Sequence, residues 1–346
     1  MARVLRGLPR LYLGTMTFGW SHASSAVDGG VAAAMVEKFV QSGGAHVDSA
    51  RIYAAGQTEP LVGAACRPFR AALALGSKAH PSQAGGLSAE GMRAQLAASL
   101  EALGADSLDE FYLHQPDPGA PLLESLQCAD ALLREGRVRA VGMSNYHASE
   151  MARAFSLCEA HGLQKPSVYQ GLYNPLNRMV EAELLPLLRQ HGCSFVAYNP
   201  LAAGLLTGAH KREGEVLPGR FKDNPNYLPR FYTSPNFIAL ENIRSTCEAA
   251  GLSLVQATYQ WLLRHSALNE SDGPLIGASS LSQLEENLDA CRAAATAKPL
   301  PTAVHAAMEG AWSITRKNAF DYWRSYSSDM PNRANLPQGA SYSAAK

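Results

Sequence analysis

Short apolar runs alternate with longer segments of helical periodicity along most of this chain, and this alternation constrains its fold more than any other feature. The runs 45–47, 108–113 and 195–198 have the length and composition of buried strands. Segments such as 88–103 and 148–161 place apolar residues at helical spacing. Because parallel strands need a crossover, which a helix supplies, the alternation predicts the α/β class with a parallel sheet. Eight such units favour a closed (β/α)8 TIM barrel over an open sheet.

Polar side chains follow the apolar part of successive predicted strands. A barrel gathers the carboxyl ends of its strands on one face, where barrel enzymes keep their active sites. No G-x-G-x-x-G segment opens a first strand–helix unit, which disfavours an open dinucleotide-binding sheet. We therefore expect one active-site face that brings together Asp48, Lys78, His114, Ser144, Asn145, Gln170, Asn199, Ser279 and Ser280.

One domain accommodates nearly the whole chain of 346 residues, because α/β barrels of this size often form a single domain. We expect residues 1–324 to form that barrel domain. The connection 201–235 is too long for a simple linker and is typical of a functional active-site loop. Residues 325–346 are rich in Ser, Ala, Pro and Asn, and this composition predicts that the C-terminal extension is a flexible tail.

Composition argues against several classes of partner. The 30 basic and 30 acidic residues cancel, which leaves no net field to attract nucleic acid or an acidic membrane surface. The longest stretch without Asp, Glu, Lys or Arg, 190–210, contains Asn199, Pro200 and several glycines, so we expect no membrane span.

The six cysteines and ten histidines show no metal-binding pattern. The sequence contains neither a C-x-x-C pair nor an H-E-x-x-H segment, so we expect no metal site and no redox pair. Free, buried thiols are typical of a reducing compartment, and we expect the chain to be cytoplasmic.

Four residues in the first third of the chain form a candidate catalytic set: Asp48, Tyr53, Lys78 and His114. A free tyrosine has a pKa of roughly 10, too high for ready proton donation near neutrality. A lysine ammonium beside it lowers that pKa, and an aspartate beside the lysine keeps the ammonium charged. Histidine can hydrogen-bond a substrate carbonyl oxygen. This set suits the reduction of an aldehyde or a ketone.

Several short motifs accompany these residues in a fixed order. Residues 48–53 read DSARIY and residues 56–63 read GQTEPLVG; 142–145 read GMSN and 169–174 read YQGLYN. These segments are similar to the D-[TS]-A-x-x-Y, G-x-[ST]-E-x-x-[LV]-G, G-x-S-N and Q-x-x-Y-N motifs of the aldo-keto reductase superfamily. The resemblance runs from residue 10 to 324. Residues 198–208, YNPLAAGLLTG, are closest to the aflatoxin-aldehyde reductase branch.

The resemblance implies an enzyme that reduces aldehydes to alcohols with NADPH. Ser144 and Asn145 would hold the nicotinamide carboxamide with Gln170 beside them, and Tyr198 would stack on the nicotinamide ring. Small loop residues would let the backbone approach a pyrophosphate, and a helix N-terminus would hold a phosphate. The expected cofactor-binding residues are Met16, Asp48, Ser144, Asn145, Gln170, Tyr198, Asn199, Pro200, Leu201, Gly204, Leu206, Gly208, Arg220, Gly277, Ser279, Ser280, Gln283, Glu286 and Asn287.

One segment departs from many members of the superfamily, which carry Lys and Arg near the cofactor 2′-phosphate. This chain has Ala278 and Gln283 there. The aflatoxin-aldehyde branch also has Gln at this position and uses NADPH, so NADPH remains the expected cofactor. Arg220 is the candidate basic contact from the long loop.

The resemblance also implies substrate contacts from Tyr227, Arg230 and Arg324, in addition to His114. Two arginines near one pocket suit a carboxylate-bearing aldehyde, because a guanidinium can bind a carboxylate through two hydrogen bonds. A dialdehyde is a second option. The expected partner is thus a small-molecule aldehyde, and a homo-oligomer is possible.

Two other interpretations stay open on the sequence. Potassium-channel β subunits share the barrel fold, bind NADPH and act as regulatory subunits, and residues 277–279 resemble theirs. An aldolase would instead use Lys78 as a Schiff base. That role needs a neutral lysine, and Asp48 would keep Lys78 charged.

Overall fold

The computed structural model describes residues 8–340, and its centre is a closed barrel of eight parallel strands in chain order. The barrel closes because β8 pairs with β1, with Ile276 beside Leu13. This closure confirms the predicted (β/α)8 fold. The strands are β1 Tyr12–Gly14, β2 His46–Asp48, β3 Ala74–Ala79, β4 Leu108–Leu113, β5 Val138–Ser144, β6 Val168–Leu172, β7 Ser194–Tyr198 and β8 Gly273–Gly277.

Helices cover the outside of the barrel and supply the crossovers. Those in the described part of the chain are α1 Gly29–Gln41, α2 Thr58–Cys66, α3 Ala89–Leu103, α4 Leu122–Arg134, α5 Ala148–His161, α6 Leu184–Gln190, α7 Leu228–Phe231, α8 Ser234–Ala249, α9 Leu254–Arg264, α10 Leu281–Thr296 and α11 Thr302–Thr315. Local signals explain many of the starts. Ser88 accepts a hydrogen bond from Gly91 N at 3.1 Å at the start of α3, and Ser253 with Gln256 forms a capping box at α9.

Three helices were not predicted from the sequence; the shortest, α7, lies within the segment predicted as a long loop. Helix α2 contains Pro60 and Gly63, which are poor helix formers, but Pro60 lies in the first turn, where no amide donor is needed. Gly63 permits close packing on α3, since a Cβ there would lie 2.7 Å from the Leu103 carbonyl oxygen. Helix α11 follows the last barrel unit and packs on α8, a contact that no local pattern indicates.

The lower half of the barrel interior is filled by a tyrosine and carboxyl cluster. Tyr12 and Tyr112 both donate hydrogen bonds to Glu110, at 3.2 and 2.5 Å. Gly142 makes room for the Tyr112 ring, because a Cβ at this position would lie 2.2 Å from it. With this end filled, the open space of the barrel lies at the carboxyl ends of its strands.

The chain beyond the predicted barrel boundary at 324 also packs on the barrel. Tyr326 and Ser327 are buried, and Ser328 N donates to the Ala120 carbonyl oxygen at 3.1 Å. Packed chain therefore continues past the position where the sequence predicts the start of a flexible tail. Residues 341–346 of that tail lie outside the described part.

All six cysteines are buried free thiols. Among residues 8–340, no cluster of three or more His, Cys, Asp or Glu side chains could hold a metal ion. None of the helices in that range is both long enough and apolar enough to cross a membrane.

Candidate active site

A buried ion pair forms the floor of the site. Asp48 ends β2 and Lys78 lies near the end of the neighbouring strand β3. Lys78 Nζ donates to the Asp48 carboxylate at 2.7 and 2.6 Å and to the Ser49 carbonyl oxygen at 2.7 Å. The lysine side chain is fully buried. Burial lowers the pKa of Lys78, and the attraction of Asp48 opposes that change.

Tyr53 lies directly above this pair. Its hydroxyl is 3.5 Å from Lys78 Nζ, and the ammonium nitrogen is 5.2 Å from the centre of the tyrosine ring. The turn that begins at Tyr53 contains Ala54 and Ala55 in the left-handed region, with φ of 45° and 53°. Non-glycine residues adopt this conformation at a cost, and such strain is concentrated at functional sites.

His114 follows β4 and faces Tyr53. The two ring centres are 5.9 Å apart in an edge-on arrangement. Burial lowers the pKa of His114 well below its ordinary value, with smaller contributions from His80, Lys78 and Arg324. The ring is therefore neutral near pH 7, and one of its two nitrogens carries a proton that can be donated to a carbonyl oxygen.

A hydrogen-bonded network of amides continues the site across three further strands. Gln170 donates to Asp48 Oδ1 at 2.8 Å, which links β6 to the ion pair. Asn145, just past β5, donates to the His114 carbonyl oxygen at 2.8 Å and accepts from the Tyr198 hydroxyl at 2.8 Å. Asn145 also donates to Ser144 Oγ at 3.0 Å. These contacts fix the orientation of both amide side chains beside the ion pair.

A cavity of about 750 Å³ opens above these residues at the carboxyl ends of the strands. Tyr53, His114 and all three other expected substrate contacts line it. The expected cofactor-binding residues on its wall are Met16, Ser144, Asn145, Gln170, Tyr198, Asn199, Pro200, Leu201, Gly204, Gly208, Arg220, Gly277, Ser279, Gln283, Glu286 and Asn287.

Three expected cofactor-binding residues do not line this cavity. Asp48 is hydrogen-bonded to Lys78 and Gln170, and of these two partners only Gln170 lines the cavity. Leu206 is fully buried in the apolar core. Ser280 caps α10, where its hydroxyl accepts from Gln283 N at 3.2 Å.

The loop after β7 brings its backbone close to the cavity. Gly204 and Gly208 have φ of 109° and 80°, values that favour glycine, and both line the cavity wall. Opposite them, the loop before α10 is held by Gln283, whose side chain accepts a hydrogen bond from Ser279 N at 2.8 Å. Asn287 donates to the Gly277 carbonyl oxygen at 3.3 Å.

Arg220 reaches the cavity from the long loop and packs between aromatic rings. Its guanidinium carbon lies 5.6 Å from the Trp20 ring centre and 5.4 Å from the Tyr227 ring centre. One guanidinium nitrogen donates to Asn199 Oδ1 at 3.2 Å. These contacts connect the long loop to the β1 end of the barrel.

The other two arginines reach the cavity from different segments. Arg230 lies in α7, with its guanidinium carbon 5.3 Å from the centre of the Phe320 ring. Arg324 follows the last helix, and its backbone amide donates to the Asn145 carbonyl oxygen at 2.9 Å. Both arginines therefore line the cavity that contains Tyr53 and His114.

Several residues on the wall were not identified from the sequence. They include Trp20, His80, Gln115 and Phe320. His80 stands edge-on to His114 at 5.1 Å, and burial lowers its pKa to about 4. Its position after Lys78, just beyond the end of β3, is the signal that could have indicated it. The other contacts arise only from the fold.

Comparison with known proteins agrees with this geometry. The sequence profile of the Aldo/keto reductase family matches residues 10–310. Aflatoxin B1 aldehyde reductase member 2 of Rattus norvegicus is 37% identical over 337 residues, which cover 91% of this chain and 88% of the relative. Aldo-keto reductase family 7 member A3 of Homo sapiens is 36% identical over 345 residues, covering 94% of this chain and 100% of the relative.

A solved structure supports the same relationship. The crystal structure of an aldo/keto reductase from Klebsiella pneumoniae in complex with NADP and acetate superposes with a TM-score of 0.66 and 25% sequence identity. The match covers 88% of this chain and 92% of that chain. The predicted fold and the predicted resemblance are both confirmed. The chain belongs to the aldo/keto reductase family.

Proposed function

We propose that this protein reduces aldehydes to alcohols with NADPH, using Tyr53 as the general acid. The observation that carries the proposal is the buried pair of Lys78 and Asp48, with the Tyr53 hydroxyl 3.5 Å from the lysine nitrogen and on the floor of the cavity. His114 faces the same space. This arrangement suits the reduction of a carbonyl group. Tyr53 is the acid, the ion pair of Lys78 and Asp48 lowers the barrier to its proton donation, and neutral His114 is a hydrogen-bond donor.

The donors around the cavity fit a nicotinamide cofactor. Ser144, Asn145 and Gln170 offer hydroxyl and amide groups beside the ion pair, as a carboxamide requires. When bound, NADPH would supply the hydride to the carbonyl carbon. Tyr198 would hold one face of the ring, and the backbone at Gly204 would lie against the phosphates. NADP in the related crystal structure is consistent with this choice.

The protein supplies the proton. We expect Tyr53 to donate its phenolic proton to the carbonyl oxygen as negative charge develops there. The positive charge of Lys78 favours the resulting phenolate, and Asp48 stabilises that charge in a buried position. Desolvation strengthens these interactions, because the local dielectric constant is far below that of water.

His114 would position the carbonyl group. Its neutral ring cannot compete with Tyr53 as a proton source, but it can donate a hydrogen bond to the same oxygen. Ser144, Asn145 and Gln170 line the same cavity as these two rings.

The Schiff-base alternative is disfavoured by the contacts of Lys78. Its nitrogen donates to the Asp48 carboxylate and to the Ser49 carbonyl oxygen. A Schiff-base lysine must be neutral, with a lone pair aimed at the substrate. Before Lys78 could attack a carbonyl carbon, it would have to lose a proton and break its buried ion pair with Asp48.

We propose carboxylate-bearing aldehydes as the preferred substrate class. Arg230 and Arg324 line the cavity that also contains Tyr53 and His114. A carboxylate bound there would gain a charge-assisted hydrogen bond without meeting the reacting carbon. The related aflatoxin B1 aldehyde reductases support an aldehyde in general.

The proposed function also has consequences for the extent of the catalytic domain and for the cellular location of the enzyme. We propose that residues 1–324 form one catalytic barrel, on which the chain after 324 packs, and that the enzyme works in the cytoplasm, where the six thiols stay reduced. A homo-oligomer is compatible with this arrangement.

The test is NADPH oxidation by the purified protein across a panel of carboxylated and neutral aldehydes. We expect alcohol to form in equal amount to the NADPH consumed. NADPH binding without turnover on any member of the panel would contradict a reductase. That outcome would favour the regulatory role known for potassium-channel β subunits.

A further inference from the structure

The end of the described chain returns to the active site and pairs with the segment that carries Arg324. We call residues 325–340 the strap. Ala340 N donates to the Trp323 carbonyl oxygen at 3.0 Å, and Arg324 Nη1 donates to the Ala340 carbonyl oxygen at 3.3 Å. Gly339 lies so close that a Cβ there would be 1.9 Å from the Arg324 carbonyl oxygen. Any other residue at position 339 would therefore displace the strap.

The strap is anchored along the way. Ser327 N donates to Glu150 Oε1 at 2.8 Å, and this glutamate is fully buried in α5. Arg153, also in α5, forms an ion pair with Asp329 at 2.5 Å. Asp329 in turn accepts a hydrogen bond from Leu122 N at 2.9 Å at the start of α4. These contacts hold the start of the strap on the barrel, and the bonds of Ala340 hold its end at residues 323–324.

Arg324 also lines the cavity that contains the candidate catalytic residues Tyr53 and His114. Its side chain lines the cavity together with His114 and His80. Burial, and to a lesser extent the positive charge of Arg324, lower the pKa values of both histidines. Its backbone amide is fixed by Asn145 at 2.9 Å. The guanidinium therefore lies between the cavity and the end of the strap.

We propose that Gly339 and Ala340 are positioning residues for substrate recognition: they hold the Arg324 guanidinium in the direction needed to bind a substrate carboxylate. A guanidinium has five N–H donors in a planar fork, and the bond to Ala340 constrains the plane of that fork. A flexible arginine would lose side-chain entropy on binding, and a preoriented one loses less. This inference rests on the proposed function and adds to it that the C-terminal strap sets the substrate preference.

The experiment uses the full chain and two disrupted forms, Gly339→Ala and a chain that ends at Pro337. Each is assayed with NADPH on 2-carboxybenzaldehyde and on its methyl ester, which has the same ring and aldehyde but no charge. We expect the ratio of acid KM to ester KM to rise about tenfold in both forms, equivalent to about 1.4 kcal/mol. A role in stability alone would change both substrates alike and leave this ratio unchanged.

Two matched controls separate the strap from general effects. A chain that ends at Tyr342 keeps the Ala340 carbonyl as an amide, and Gly310→Ala adds a methyl in α11 where no atom lies within 4 Å. Both should keep the ratio of the full chain. If either disrupted form folds and keeps that ratio, or if the full chain shows no acid preference, the inference is overturned. Failure of the full chain to reduce either aldehyde would instead overturn the proposed function.

Discussion

Lys78 Nζ lies 2.6 Å from Asp48 Oδ2 in a site where the lysine side chain has no exposed surface. A charged pair at this depth loses its hydration, and only close contact with additional hydrogen bonds offsets that loss. Ser49 and Gln170 supply those bonds, one to each partner. The arrangement holds a fixed positive charge beside the Tyr53 hydroxyl, which explains why a lysine is buried in the barrel.

Replacing Asp48 by Asn should destabilise the protein, because Lys78 would remain buried without its countercharge. We expect a loss of about 3–5 kcal/mol in the free energy of unfolding, the range typical of broken buried pairs. Denaturant unfolding measures it. Glu135→Gln is the control, since it breaks an exposed pair with Arg93, which solvent screens, and it should have a far smaller effect on the free energy of unfolding. Equal effects of the two substitutions would contradict a special role for the buried pair.

Tyr53→Phe should abolish reduction while leaving NADPH binding nearly intact. In the proposed mechanism the hydroxyl is the proton donor, and the loss of a general acid reduces turnover by about 10²–10⁴-fold. Single-turnover NADPH oxidation measures the chemistry, and cofactor fluorescence titration measures binding. Near-normal turnover in this variant would refute the mechanism.

NADPH should be preferred to NADH, and Arg220→Ala should narrow the preference. A lost contact of about 1.4 kcal/mol between the guanidinium and the 2′-phosphate corresponds to about tenfold in the ratio of kcat/KM values. Arg212→Ala, an exposed arginine of the same loop, is the matched control. Equal use of both cofactors by the unmodified protein would mean that Ala278 and Gln283 have removed the selectivity.

Carboxylated aldehydes such as succinic semialdehyde should show a lower KM than neutral aldehydes of similar size. Arg230→Ala or Arg324→Ala should raise that KM about 10- to 100-fold, since a charge-assisted contact contributes about 1.5–3 kcal/mol. The effect should fall mainly on KM, because the contact is remote from the reacting carbon. Exposed Arg316 offers a control substitution. An unchanged preference in both cavity variants would show that neither arginine binds the carboxylate.

The burial of His80 should make stability depend on pH. Its pKa falls from 6.5 to about 4 in the folded protein, so the unfolded chain binds more protons between these values. The contribution of neutral His80 to the free energy of unfolding is therefore complete above about pH 6.5, and it is lost as the pH falls toward 4. Each pKa unit corresponds to about 1.4 kcal/mol, which gives about 3 kcal/mol.

Comparison of His80→Asn with the unmodified protein isolates this contribution. The difference in unfolding free energy between the two proteins should shrink by that amount from pH 7 to pH 4. Urea unfolding at several pH values provides the measurement. A difference that does not change with pH would show that His80 is not buried in its neutral form.

The sequence alone was sufficient for the architecture and for the proximity of the four candidate catalytic residues. Strands and helices have local periodicities of two and 3.6 residues, and a strand end is a local position. For this reason β4 and α5 were predicted with the bounds that the structure has. Barrel topology then brings Asp48, Lys78 and His114 together, because it gathers their strand ends on one face.

Only the tertiary structure decided the contacts between segments that are distant in sequence. Arg220 packs against Trp20, and Arg324 pairs with a strap whose polar composition predicts no packing. Local composition reports how much apolar surface a segment can bury, but not which backbone groups of another segment it will satisfy. The strap is held by hydrogen bonds and an ion pair to α4, α5 and residues 323–324, and by Tyr326, which packs in the core. These partners exist only once the barrel has formed, so neither periodicity nor composition could have indicated them.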